Sequence, residues 1–110
     1  MAMYKKTLKG DFDTMLDKLH KGILNNSASA SYEDGSDFEK NDVRFAVRVY
    51  ERYSIMGSNR VSMTVTLIGE NDNLHVTLIT SGGSQALFMK INTIGEESFL
   101  DTAIDVIEGR

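Results

Sequence analysis

The stretch from Thr80 to Arg110, TSGGSQALFMKINTIGEESFLDTAIDVIEGR, constrains the chain more than any other. It offers a Gly82-Gly83 turn, a short apolar run, a helix start signal and a long amphipathic helix. Leu87, Met89 and Ile91 read as the inward set of a last strand. Thr93 and Glu96 stand at capping-box spacing, where each side chain satisfies the other's free backbone amide. Phe99, Leu100, Ala103, Ile104 and Ile107 then make one helical stripe, closed by Gly109. A helix with a single apolar stripe must lie on another layer, and the preceding chain supplies one.

That layer reads as strands with a period of two. Val43, Phe45, Val47 and Val49 alternate with Arg44, Ala46, Arg48 and Tyr50. Val61, Met63, Val65 and Leu67 alternate with Ser62, Thr64 and Thr66, and Leu74, Val76 and Leu78 with His75, Thr77 and Ile79. Met56 to Asn59 and Gly69 to Asn73 separate these runs as turns. Ala28, Ala30 and Tyr32 suggest a further strand, and Glu33 to Asp42 a polar hairpin loop. Near the N-terminus, Met3 to Lys9 reads as an edge strand. Asp11 is placed to cap a helix whose stripe is Phe12, Met15, Leu16, Leu19 and Ile23, with a stop at Asn25-Asn26.

Short turns make neighbouring strands antiparallel. The expectation is therefore a single α+β domain over residues 1–110. It has two layers: an antiparallel five- or six-stranded meander sheet, with one helix after the first strand and one C-terminal helix, both on one face. The N-terminal strand should pair with the last strand of the meander. Valines and leucines should turn toward the helices, leaving arginine and threonine on the other side.

Element order over nearly the whole chain resembles a shortened helix-grip fold, as in the START and polyketide-cyclase-like domains. That resemblance implies an apolar ligand held between sheet and C-terminal helix. Residues 80 to 108, with SGGSQ followed by FMKINTIGEESFLD, resemble a small bacterial family known only as a domain of unknown function.

Composition narrows the chemistry. Cysteine is absent, which excludes disulfides, thiolate catalysis and cysteine-ligated zinc. The net charge of −4 argues against nucleic acid as the main partner, because phosphate binding needs a concentrated positive field. No apolar run approaches the roughly 20 residues of a membrane span. The N-terminal lysines precede no apolar stretch, so no signal peptide is expected and the cytoplasm is the expected location.

Candidate sites follow from the alternation. Arg44, Arg48, Tyr50 and Arg52 are expected on the outer face with His75, and Phe88 should point outward beside them. Such a row could hold an anion or stack on bases, or could pack on a second subunit. Phe45, Met63, Met89, Phe99 and Ile104 are the inner set that could line an apolar pocket. The acidic run Glu33, Asp34, Asp37, Glu39 and Asp42 lacks the spacing of an EF-hand loop, and His20 and His75 have no second histidine nearby. Gly82-Gly83 sits between strands rather than opening a helix, and no nucleophile elbow or P-loop occurs.

These readings point to a non-enzymatic domain that acts by association, as a homodimer that also takes a small apolar or anionic ligand, with no metal or cofactor. A helix-grip enzyme or carrier is the second reading. A sheet face that binds RNA through Arg44, Arg48, Tyr50 and Arg52 is the third.

Overall fold

A computed structural model describes residues 1–54, 59–82 and 89–110, with side chains for 1–53, 60–82 and 96–110. The elements are β1 (Ala2–Lys9), α1 (Phe12–Asn25), β2 (Ser31–Lys40), β3 (Val43–Ser54), β4 (Asn59–Glu70), β5 (Asn73–Gly82) and α2 (Met89–Glu108). The strands form one open sheet in the order β1-β5-β4-β3-β2, antiparallel throughout. β1 thus closes onto the last strand of the meander, with α1 crossing the sheet to reach the far edge. Among the described residues no helix is long and apolar enough to cross a membrane.

Local chemistry explains most boundaries. The Asp11 carboxylate accepts from the Thr14 backbone amide at 2.9 Å and starts α1. Asn26 ends it, with φ −92° rather than in the left-handed region. Between β2 and β3, Asn41 and Asp42 have φ of 52° and 68°. Positive φ at both central residues is what a tight two-residue hairpin requires, and Asn and Asp tolerate it. Asn71, at φ 56°, serves the β4–β5 turn, which is shorter than Gly69 to Asn73 because Gly69, Glu70 and Asn73 belong to strands.

The structure corrects the expected pattern in three places. First, residues 33–40 are not a loop but most of β2, while residues 27–30 are the connection. The segment hides its strand character because β2 is an edge strand with nearly every side chain exposed, so its alternation is not apolar against polar. Charges on such an edge also discourage pairing with foreign strands.

Second, no strand is formed by Met89 to Ile91, which open α2. β5 already pairs on both sides, with β1 and β4, so the slot beside it is occupied. Thr93 therefore lies inside the helix, and Glu96 is not a capping partner. Its carboxylate is 4% exposed and receives the Met1 amine at 2.6 Å. Phe88, Leu87, Gly83 and, of the turn expected from Met56 to Asn59, residues 56–58 lie outside the described residues.

Third, β3 is turned over. Ala46 pairs with Leu67, Arg48 with Val65, Tyr50 with Met63 and Arg52 with Val61. Directly paired residues share a face, and these β4 partners are fully buried beneath the helices. So Arg44, Ala46, Arg48, Tyr50 and Arg52 face the helices, and Val43, Phe45, Val47 and Val49 face away. On β4 and β5 the expected orientation is the one found.

The core follows from that layout. Val61, Met63, Val65 and Leu67 of β4 and Leu74, Val76 and Leu78 of β5 meet Phe99, Leu100, Ala103 and Ile107 of α2. Each such aliphatic or aromatic side chain contributes about 1.5–3 kcal/mol when fully buried. α1 adds Phe12, Leu19 and Ile23. Two close approaches fix α1. A Cβ on Gly69 would stand 2.7 Å from the Phe12 ring, and one on Gly22 would stand 2.3 Å from Val106 of α2. Glycine at these positions lets the helix sit down on the sheet and against its neighbour.

Candidate functional site

The reversal of β3 places arginine and tyrosine under α1 and leaves aliphatic residues on the open side. Two surfaces result.

Beneath α1 lies a groove. Asp13, Leu16, Asp17 and His20 recur along one side of the helix and, with Arg48, line an open cavity of about 320 Å³. Behind it His20, Tyr32 and Tyr50 pack with ring centroids 5.5–5.7 Å apart. The Tyr50 hydroxyl lies 2.8 Å from His20 Nδ1. Burial pushes the Tyr50 phenol up to about 12, so at neutral pH it keeps its proton.

Arg48 crosses toward β2, where its Nη1 donates to Asp37 at 2.7 Å and to the Val47 carbonyl at 2.9 Å. Gly35 makes this path possible: a Cβ there would meet Arg48 Cδ at 2.8 Å and the Tyr32 hydroxyl at 2.6 Å. The hydrogen bond from Arg48 holds the Asp37 carboxyl below its ordinary range. At the end of the groove Arg44 Nη1 donates to Asp13 at 2.8 Å, and its guanidinium lies 4.3 Å from the Phe12 ring centroid. That bond lowers the Asp13 carboxyl in the same way.

Arg52 lies further along β3, its guanidinium 4.8 Å from the Phe99 ring centroid. Arginine over an aromatic face keeps its charge stabilised while its stem covers apolar surface. Burial lowers its pKa.

The open side of the sheet is the second surface. Joining the strand registers gives its rows. One is Thr7–His75–Ile68–Phe45–Phe38, the next Lys5–Thr77–Thr66–Val47–Ser36, and the third Met3–Ile79–Thr64–Val49–Asp34. Phe38, Met3 and Ile79 are exposed, and Val43, Phe45, Val47, Val49 and Ile68 are half-buried by their own neighbours. Among the described residues no element lies across this face.

The structure therefore brings Arg44, Arg48, Tyr50 and Arg52 together, but on the helix side. His75 is on the other side, its Nδ1 2.9 Å from the Thr7 hydroxyl, and it cannot join them. Phe88 lies outside the described residues. Of the apolar inner set, Met63 and Phe99 are buried, but Phe45 faces away, so these do not line one pocket. Sequence reasoning passed over Asp13, Asp17 and Tyr32 as site residues and weighed His20 only as a lone histidine. The signal for Asp13, Asp17 and His20 was the i, i+4, i+7 spacing along α1. Nothing pointed to Tyr32, which needs the β2–β3 register. Among the described residues no cluster of three or more His, Asp or Glu could hold a metal ion.

An open antiparallel sheet with both helices on one face defines a two-layer α+β domain. The chain belongs to a family of unknown function, DUF6054, which matches residues 1–109. This agrees with the resemblance carried by residues 80 to 108. No curated protein matches the chain. The helix-grip likeness rests on element order alone, and this sheet does not close into a barrel.

Proposed function

We propose that this domain is a non-enzymatic association module of the cytoplasm, and that a second copy of the chain packs on the open sheet face. The observation that supports this is the apolar half of β3, Val43, Phe45, Val47 and Val49, turned away from the helices beside Phe38, Ile68 and Ile79. Monomers rarely leave an apolar patch of that extent uncovered. Five strands about 4.8 Å apart and eight residues of about 3.4 Å each make a face of about 650 Å² in plan. Corrugation brings its accessible surface near the roughly 800 Å² per partner of a standard interface.

A two-fold axis along β4 fits the pattern. It sets Val49 of one copy opposite Ile79 of the other, Ile68 opposite itself, and Lys5 of β1 over the Asp34–Ser36 edge of β2. Such a contact is self-complementary, as a closed dimer requires.

Light scattering across a concentration series tests the reading. The expected mass is twice the 12.2 kDa of the chain. Phe45→Lys should return it to the monomer while keeping the fold by circular dichroism. A monomer at the highest concentration, or a dimer untouched by Phe45→Lys, sinks the proposal.

The helix-grip reading draws no support here, because Leu67, Leu78, Phe99 and Ala103 fill the space between sheet and α2. RNA binding through the arginines is weakened too, since Arg44, Arg48 and Arg52 are engaged beneath the helices.

A further inference from the structure

The groove beneath α1 holds opposite charges that do not meet. Asp13 is held by Arg44, Asp17 by Lys21 on its own helix, and Arg48 by Asp37 of β2. Among the described residues no ion pair joins Arg48 to Asp13 or Asp17, though all three line one cavity. Each keeps spare hydrogen-bonding capacity. Arg48 bonds through Nη1 alone, leaving Nη2 and Nε, and His20 bonds through Nδ1 alone. Where the Tyr50 phenol donates to Nδ1, it is Nε2 of the imidazole that faces a ligand as a donor. Asp17 accepts from Lys21 through Oδ2, leaving Oδ1.

We propose that this groove binds a small zwitterion of the amino-acid class. The ligand carboxylate accepts from Arg48 and from His20 Nε2. The ligand ammonium donates to Asp17 and Asp13, and its side chain lies on Leu16. A plain anion leaves Asp13 and Asp17 facing it. A plain amine leaves Arg48 facing it. Only a bipolar molecule answers both walls. The cavity, about 320 Å³ and open to solvent, has room for a small molecule. The walls are set beforehand: Tyr50 orients His20, and Gly35 lets Arg48 lie flat on β2.

The test is a ¹H–¹⁵N NMR titration of the full chain with each proteinogenic amino acid. Acetate and n-butylamine, at equal ionic strength, serve as half-ligands. At least one amino acid should shift the amides of residues 13–20 and 44–50 saturably, with each half-ligand at least about tenfold weaker. Asp17→Asn and Arg48→Gln should each weaken binding by about tenfold or more. Asp17 lies exposed on α1, so its variant keeps the fold and carries the test if Arg48→Gln does not. The proposal is overturned if acetate or n-butylamine matches the amino acids, if no amino acid moves these amides, or if Asp17→Asn binds as well as the parent. The groove is on the opposite side of the sheet from the association face. The same titration on Phe45→Lys therefore separates the two readings.

Discussion

β4 and β5 beneath α2, and β3 with the exposed edge strand β2 beside α1, are two halves of one sheet built on different terms. In the first half the apolar set of each strand faces the helix and is fully buried: Val61, Met63, Val65 and Leu67, then Leu74, Val76 and Leu78. In the second half the apolar set of β3 looks outward. Its inner positions carry Arg44, Arg48 and Arg52, accommodated by aromatic rings, carboxylates and a carbonyl. Alternation says that a strand has two faces. Register with its neighbour says which face is which, since a shift of one residue exchanges them. For β4 and β5 the two criteria agree. For β3 they conflict, and the pairing with β4 decides.

The largest expected difference between the halves is in stability. Leu67→Ala, in the dry half, should cost about 2–5 kcal/mol in denaturant unfolding. Val49→Ala, on the open face of β3, should cost under about 1 kcal/mol in the dilute monomer. Equal costs would mean that β3 is not turned over.

Gly69→Ala probes the seam between the halves. Its new methyl meets the Phe12 ring, over which the Arg44 guanidinium also lies, and the overpacking should cost about 1–3 kcal/mol. A neutral result would show α1 riding loosely on the sheet.

Smallest is the polar pair under α1. Tyr50→Phe removes the bond to His20 and should cost about 1 kcal/mol. A spectrophotometric titration reads Tyr50 together with Tyr4 of β1, whose hydroxyl donates to Glu108 of α2. Tyr50 and Tyr4, each pushed up to about 12 mainly by burial, should remain protonated where free tyrosines ionise near 10. Because their folded pKa is raised, the stability they confer is present below pH 10 and is lost as pH climbs through about 12. The acid side runs the other way. Asp13 and Asp37 are lowered by their arginines, so their contribution is present above the ordinary carboxylate range and lost as pH falls through their folded values. Tyr50 titrating near 10 would mean that the groove floor is wet.

Legibility tracked the strength of local chemistry. The Asp11 cap, the α1 stripe and the two strands under α2 could be read because propensity, period and burial agree there. β2 could not, since an edge strand exposed on both faces has no apolar period. The start of α2 was misread because Thr93 and Glu96 imitate a cap. Of the candidate site, the arginines and Tyr50 were seen as a set, but the face they occupy was missed. So were their α1 partners, residues far off in sequence.

Periodicity along the chain alone determines that two helices and several antiparallel strands form and that one sheet carries the core, and composition alone excludes cysteine chemistry. Tertiary structure decides which side of β3 meets the helices, because hydrogen-bond register fixes the parity of paired strands and the deeper apolar surface of β4 prevails. It also decides that arginine lies under rings of α1 and α2 while valine is left open. A strand on its own carries two faces and no statement of which one is inside.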